Sequence, residues 1–470
     1  MFATIILISE WTIRITMIPV VLRRRRPEAA MAWLVAIFFL PILGLLAYLI
    51  FGQQRLGRKR IDRSIRAHAA VATSERLAAH VVRPRIAAKQ HDIVAMAQGM
   101  GGSPILGGNS VEMLPETDGA IDRLIADIDA ARSHVHILVY IYRNDATGSR
   151  VGEALARAAT RGVQCRLLVD AVGSSAFLTE GSDALRGAGV DVHALMPASP
   201  ARLLVSRLDV RNHRKIAVID GSIGYAGSQN IVDADYGHRK YGAWRDLMLR
   251  ITGPSVLHLQ QVFLEDWYGE LGSVPADHSL FPAPETGGKI PIQIVPSGPA
   301  FESAPLQDLI VAAIHEAERR IIITTPYFLP GEAAQAALRI GAARGVRVDL
   351  VIPARSNHPV VTAAGRSHIR ELARAGVHVH KHGVGLLHAK TITVDDAFAL
   401  IGSSNFDIRS FDINFEVNML LYGADVTACV RELQEGYIRE STAMDPRAEV
   451  ESSTVRRICD DAARLLSPLL

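Results

Sequence analysis

Cysteine is almost missing from this sequence: Cys165, Cys429 and Cys459 stand far apart, and no CxxC pair occurs. That spacing argues against a disulfide framework and against a structural zinc site, and it leaves the redox compartment open. Also absent are a Gly-X-Y period, the HExxH pattern, and the paired carboxylates or Cys/His clusters of metal sites. With 49% apolar and 21% charged residues in 470, disorder is excluded, and the chain is long enough for roughly three folding units. A large charge of one sign is missing as well, since the net is +3. Residues 1–66, however, hold eleven Lys/Arg against three Asp/Glu, a balance of +8, so the remainder totals −5. The basic excess belongs to one end. The rest lacks the positive surface expected of a nuclease, and no nucleic-acid partner is expected.

That basic end is membrane material. Residues 31–51, MAWLVAIFFLPILGLLAYLIF, form an uncharged run of 21 residues. As one helix this would span about 30 Å, the hydrocarbon thickness, with Trp33 and Tyr48 near its two ends. Residues 1–22 are also apolar apart from Glu10 and Arg14, whose i,i+4 spacing allows them to pair. They read as a second membrane segment, whether spanning, interfacial or re-entrant. A cleaved signal peptide fits poorly, because no charged region precedes the apolar one and no small-residue cleavage site follows it. Arg23 to Arg26 precede the long run, and Arg55, Arg58, Lys59, Arg60, Arg63 and Arg66 follow it. Positive charge on both flanks cancels most of the positive-inside signal, and both clusters suit anionic headgroups.

Residues 53–110 read as a basic, helical linker ending in the glycine-rich GMGGSPILGGNS, taken as a flexible hinge; no strand precedes it and no Lys-Ser/Thr closes it, so a phosphate loop is disfavoured. An internal repeat organises the rest of the chain. HVHILVYIY (134–142) is matched by RIIITTPYF (320–328), RGVQCRLLVD (161–170) by RGVRVDLVIP (344–353), and RGAGVDVHAL (186–195) by ARAGVHVHKH (373–382). Helical patterns alternate with short strands in both copies, which gives two α/β domains, at 111–285 and 286–470.

The chemistry repeats with the fold. His213-Arg-Lys215 leads through Asp220 to Gly227-Ser228-Gln-Asn230, and His388-Ala-Lys390 through Asp395 to Gly402-Ser403-Ser-Asn405, so HxKx4Dx6GSxN is met without a gap twice. In a strand, residues i and i+2 share a face, so each His and Lys project together. An imidazole beside an ammonium is costly in an apolar sheet unless both are used. Two lysines with Ser hydroxyls and Asn amides (Ser228, Asn230, Ser403, Asn405) suit the growing charge of a five-coordinate phosphorus. One imidazole attacks while the other protonates the leaving alkoxide. No metal or cofactor is expected; the alternating His378, His380 and His382 resemble a metal site only superficially.

These motifs resemble those of the phospholipase D superfamily. The apolar N-terminal stretch, the HRK and LLHAK contexts, TTPYF and the terminal SPLL are together similar to bacterial cardiolipin synthases of the A type. The resemblance implies two tandem phospholipase-D-like domains of pseudo-two-fold symmetry behind a transmembrane helical region, in a multi-pass protein of the bacterial inner membrane. It further implies conversion of two phosphatidylglycerol molecules to cardiolipin and glycerol through a phosphohistidine, without metal, in one site between the domains. Carried across, His213 becomes the nucleophile and His388 the general acid, with Lys215, Lys390 and the Ser and Asn pairs around the phosphate. Asp246 and Glu416 fall where the superfamily places a carboxylate on each histidine. Asp220 and Asp395 complete the catalytic motif, although their place past the lysines at a strand end reads as structural. Hydrolysis, or transfer to another alcohol as in phosphatidylserine synthases, is the alternative reading.

Overall fold

Alternation along short strands decides how this chain layers. In the run HVHILV, Leu138 enters one core while Val135, Ile137 and Val139 enter another; in RIIIT, Ile322 joins the first core and Ile321 and Ile323 a third. Buried on both faces, such strands need helices on both sides. The computed structural model describes residues 2–23, 27–52, 58–72, 82–197, 209–237, 242–275, 278–299, 305–445 and 454–465; the terminal SPLL lies outside them.

The first repeat supplies β1 (Leu106–Leu114), β2 (His134–Val139), β3 (Gln164–Asp170), β4 (Asp191–Leu195), β5 (Ile216–Ile219), β6 (Ile223–Gly227), β7 (Trp244–Arg245) and β8 (Met248–Thr252). The second supplies β9 (Ile290–Ser297), β10 (Arg320–Thr324), β11 (Phe328–Leu329), β12 (Arg347–Pro353), β13 (His378–His382), β14 (Leu386–Leu387), β15 (Thr391–Val394), β16 (Phe398–Gly402), β17 (Phe406–Asp407), β18 (Glu416–Tyr422) and β19 (Ser441–Ala443). One sheet of fifteen strands joins them, with β1 and β9 side by side at its middle. Outward from β1 run β8, β6, β5, β2, β3 and β4; outward from β9 run β18, β16, β15, β10, β12 and β13, with β19 added at that edge. Each half is the other's copy about the central seam. One core, beneath helices Ser255–Leu271 and Ala424–Arg439, crosses the seam, whereas the opposite face carries a separate helix-covered core in each half.

The structure changes two expectations. The glycine-rich stretch is not simply a hinge, because its end is the buried start of β1, which pairs with both β8 and β9 through an irregularity between Leu106 and Asn109. Gly108, at φ 79°, lies against Thr286 there, where a side chain would be strained. The apolar run 31–51 is not one helix. It forms helices Pro27–Phe39 and Pro41–Phe51, interrupted at Leu40 (φ −131°, ψ 72°). Proline lacks the amide hydrogen and drives the preceding residue out of the helical region. Among the described residues, one helix is long and apolar enough to cross a membrane, Thr4–Leu22, which leaves a multi-pass arrangement without support.

Candidate active site

Three strand ends meet at one level in each half. Lys215 immediately precedes β5, Ser228 follows the end of β6, and Leu247 precedes β8, and the antiparallel register brings these positions together. The second half repeats this with Lys390 before β15, Ser403 after β16 and Glu416 opening β18. The seam places the two sets around one cavity of about 450 Å³, lined by His213, His388, Asn230 and Asn405 together with Tyr140, Tyr236, Trp244 and Tyr327.

The carboxylates cross the seam. Nδ1 of His213 lies 3.0 Å from both carboxylate oxygens of Glu416 in the second half, and Nδ1 of His388 lies 2.6 Å from Oδ1 of Asp246 in the first. A carboxylate accepts, so each Nδ1 carries the proton and each Nε2 is left free for chemistry. The backbone crosses as well. His213 donates its amide to Phe415 O (2.8 Å), while His388 and Ala389 donate theirs to Arg245 O (2.8 and 2.9 Å), and β14 pairs with β7. Each histidine is thus aimed by the strand that follows the other motif.

Both serines are occupied in holding these carboxylates. Ser228 Oγ donates to Asp246 (2.6 Å) and accepts the Leu247 amide (2.9 Å); Ser403 Oγ donates to Glu416 and accepts the Val417 amide (3.0 Å). Neither serine lines the cavity and each hydroxyl is committed to a carboxylate and an amide, which leaves the phosphate-contacting role expected of them without support. The asparagines do line it. Asn230 Oδ1 accepts the Ile141 amide (3.1 Å), while Asn405 Oδ1 and the neighbouring Asn414 Oδ1 are buried without a partner. Lys215 and Lys390 do not line the cavity either; they are buried beneath their histidines, each ammonium donating one bond to the carbonyl of the histidine two residues earlier and keeping two donors.

Burial governs the protonation of this site. It lowers His213 from its ordinary value, against the pull of Glu416, and takes His388 down to about 4 with help from Lys390. It also brings Lys215 to about 8 and Lys390 to about 7. Burial alone would raise the carboxyls, but the facing histidines and lysines hold Glu416 below its usual range and Asp246 at about 2. The free site therefore pairs two neutral imidazoles with two carboxylates at neutral pH.

Asp220 and Asp395 lie at the opposite end of their strands. Asp220 accepts the amides of Arg132, Ser133 and His134 (2.7–2.9 Å), and Asp395 those of Glu318, Arg319 and Arg320 (2.8–2.9 Å). Neither lines the cavity; they tie down the turns that start β2 and β10, so the motif aspartates brace the fold, contrary to the catalytic assignment. On β13, His380 Nε2 pairs with Asp349 (2.9 Å) and His382 with backbone carbonyls.

The motifs alone did not disclose the aromatic walls. Tyr140 packs edge-on to His213 at 5.0 Å between centroids and Trp244 to His388 at 4.7 Å. Their signal was the aromatic ends of HVHILVYIY and TTPYF, and the Trp preceding the Arg-Asp pair.

The family described as cardiolipin synthase, PLD-like domain, matches residues 124–267 and 310–436. Cardiolipin synthase A of Edwardsiella ictaluri is 33% identical over 99% of this chain and 96% of its own length, and that of Klebsiella pneumoniae 34% over the same shares. The chain belongs to the cardiolipin synthase family. A second family, the phospholipase D-nuclease N-terminal region, matches residues 13–53 of this cardiolipin synthase homologue. Phosphatidylserine synthase of Haemophilus influenzae superimposes with a TM-score of 0.62 at 13% identity, covering 81% of this chain and all of that one, which shows the shared phospholipase-D-like fold.

Proposed function

We propose that this phosphatidyltransferase joins two phosphatidylglycerol molecules into cardiolipin and glycerol through a phosphohistidine on His213. The observation that carries the reading is the pair of histidines facing one cavity, each held through Nδ1 by a carboxylate of the opposite half. Nε2 of His213 attacks phosphorus, the phosphorus–oxygen bond to the headgroup glycerol breaks, and His388 delivers the proton to that alkoxide. The anionic diester between the histidines raises the pKa of His388 and so favours its acid form. Neutral again, His388 takes the proton from a headgroup hydroxyl of a second phosphatidylglycerol. That oxygen attacks phosphorus, and the bond to His213 breaks. Lys215 and Lys390 each have donors to spare for the non-bridging oxygens, and Asn405 and Asn414 offer buried acceptors to the glycerol hydroxyls.

The N-terminal helices anchor the enzyme in the bilayer that holds both substrates. Purified protein in phosphatidylglycerol vesicles with chelator present, followed by mass spectrometry of the lipids, tests the reading. Cardiolipin and free glycerol are expected from wild type and neither from His213→Ala. Phosphatidic acid in place of cardiolipin would make water the acceptor and overturn the transferase assignment.

A further inference from the structure

The three apolar helices do not have the geometry of two spans. Helix Pro27–Phe39 has 13 residues and helix Pro41–Phe51 has 11, about 20 and 16 Å at 1.5 Å per residue, each too short for a 30 Å core. In one continuous helix Trp33 and Tyr48 would stand about 22 Å apart. Instead their rings meet edge-on at 5.3 Å, both buried, so the second arm folds back along the first. Gly44 makes the turn possible, since a Cβ there would lie 2.7 Å from the Ile37 Cα.

The tip of this hairpin meets the middle of helix Phe2–Leu22. Trp11 packs on Phe38 at 6.2 Å, while deeper along the pair Met17 and Val21 share a core with Ala30, Trp33 and Ile37. Arg14, held by Glu10 (3.3 Å), donates Nε to the carbonyl of Phe38 (3.0 Å), where the first arm ends and its last carbonyls lack helical partners. Arg14, its charge balanced by Glu10 in an otherwise uncharged helix, thereby satisfies part of the broken backbone at that depth. The outer surface is mostly apolar, with Ile8, Ile15, Val35, Phe39 and Leu43 exposed, and the exposed Ser9, Thr12 and Thr16 turn their hydroxyls onto carbonyls of their own helix.

Resting on the reading of residues 1–52 as membrane material, we propose that they meet the bilayer as one spanning helix, Phe2–Leu22, beside a two-armed wedge, Pro27–Phe51, that enters and leaves the same leaflet. Arg23 to Arg26 and the six Lys/Arg between Arg55 and Arg66 then share one side, against the anionic headgroups of that leaflet. The cancelling flanks become one block of ten basic residues, which the positive-inside rule assigns to the cytoplasmic face, with the catalytic halves. Thr4 lies across the membrane from them.

Cysteine labelling with a membrane-impermeant maleimide on intact spheroplasts, before and after permeabilisation, tests this. In a full-length Cys429→Ser, Cys459→Ser background, Thr4→Cys should label in intact spheroplasts, and Glu28→Cys only after permeabilisation. Cys429 of the natural chain, exposed on the catalytic part, should follow Glu28→Cys. Two full spans would put Thr4→Cys and Cys429 on one face and Glu28→Cys on the other; an interfacial unit would put all three on one face. Either result overturns the wedge. Release of the protein by alkaline carbonate would instead refute the membrane reading beneath it. Cardiolipin formation by each variant in vesicles checks that it is folded.

Discussion

In the proposed mechanism His213 is the nucleophile and His388 the acid and then the base, and their immediate neighbours suit them to those roles. Glu416→Gln and Asp246→Asn keep the shape of each contact but remove the charge that fixes the Nδ1 proton and supports an imidazolium. Each is expected to lower kcat about 10²–10⁴-fold, the usual worth of a positioned acid or base, without changing Tm by more than a few degrees. The lysines set the alkaline limit. With Lys390 at about 7 and Lys215 at about 8, the ammonium charge that meets the phosphate is lost as pH rises through that range, so kcat/KM should fall there. On the acid side, the lowered value of His213 keeps it neutral and nucleophilic below the ordinary titration of histidine. Lys390→Arg retains its charge and should move the alkaline limb up by about one pH unit, to the range in which Lys215 loses its proton, at reduced rate. A pH–rate profile of the pure protein in vesicles reads both limbs.

At the scale of elements, the strand ends divide into a chemical end and a structural end. Asp220 and Asp395 adopt left-handed backbone conformations (φ 52° and 48°) and each caps three amides of a turn, which asparagine imitates better than alanine. Asp220→Ala should cost about 2 kcal/mol of stability, seen as a lowered Tm, with kcat per folded molecule retained, and Asp220→Asn distinctly less. The sequence revealed the strands well, because β2, β3 and β4 recur as β10, β12 and β13 at nearly constant offset with their apolar pattern intact. It could not reveal that Asp246 serves His388 and Glu416 serves His213, since each carboxylate also follows the histidine of its own half and only the β1–β9 seam decides between the two pairings. The broken span was in principle legible at Pro41, but hydropathy averaged over 31–51 hides one proline in a long apolar run. The serines were misplaced because their spacing shows proximity to the lysines but not the direction of their hydroxyls.

At the scale of the molecule, one continuous sheet and one seam-crossing core bind the halves into a single chemical unit. Chains 1–285 and 286–470 expressed apart should each be inactive, and co-expression should restore cardiolipin formation if the seam reforms. Mixing full-length His213→Ala with full-length His388→Ala should restore nothing, because each chain builds its own complete site; recovered activity would mean that halves exchange between chains. The crossed pairing also bears on how the protein is made. A growing chain that has emerged as far as its first half already carries His213 and Lys215 on a membrane full of phosphodiesters, but Glu416 has yet to be translated. Its histidine lacks the tautomer control and the partner acid that would let it cut lipid. On the proposed mechanism the reactive state exists only once Glu416 and His388 have been translated, so the order of synthesis itself would shield the membrane from a half-built enzyme.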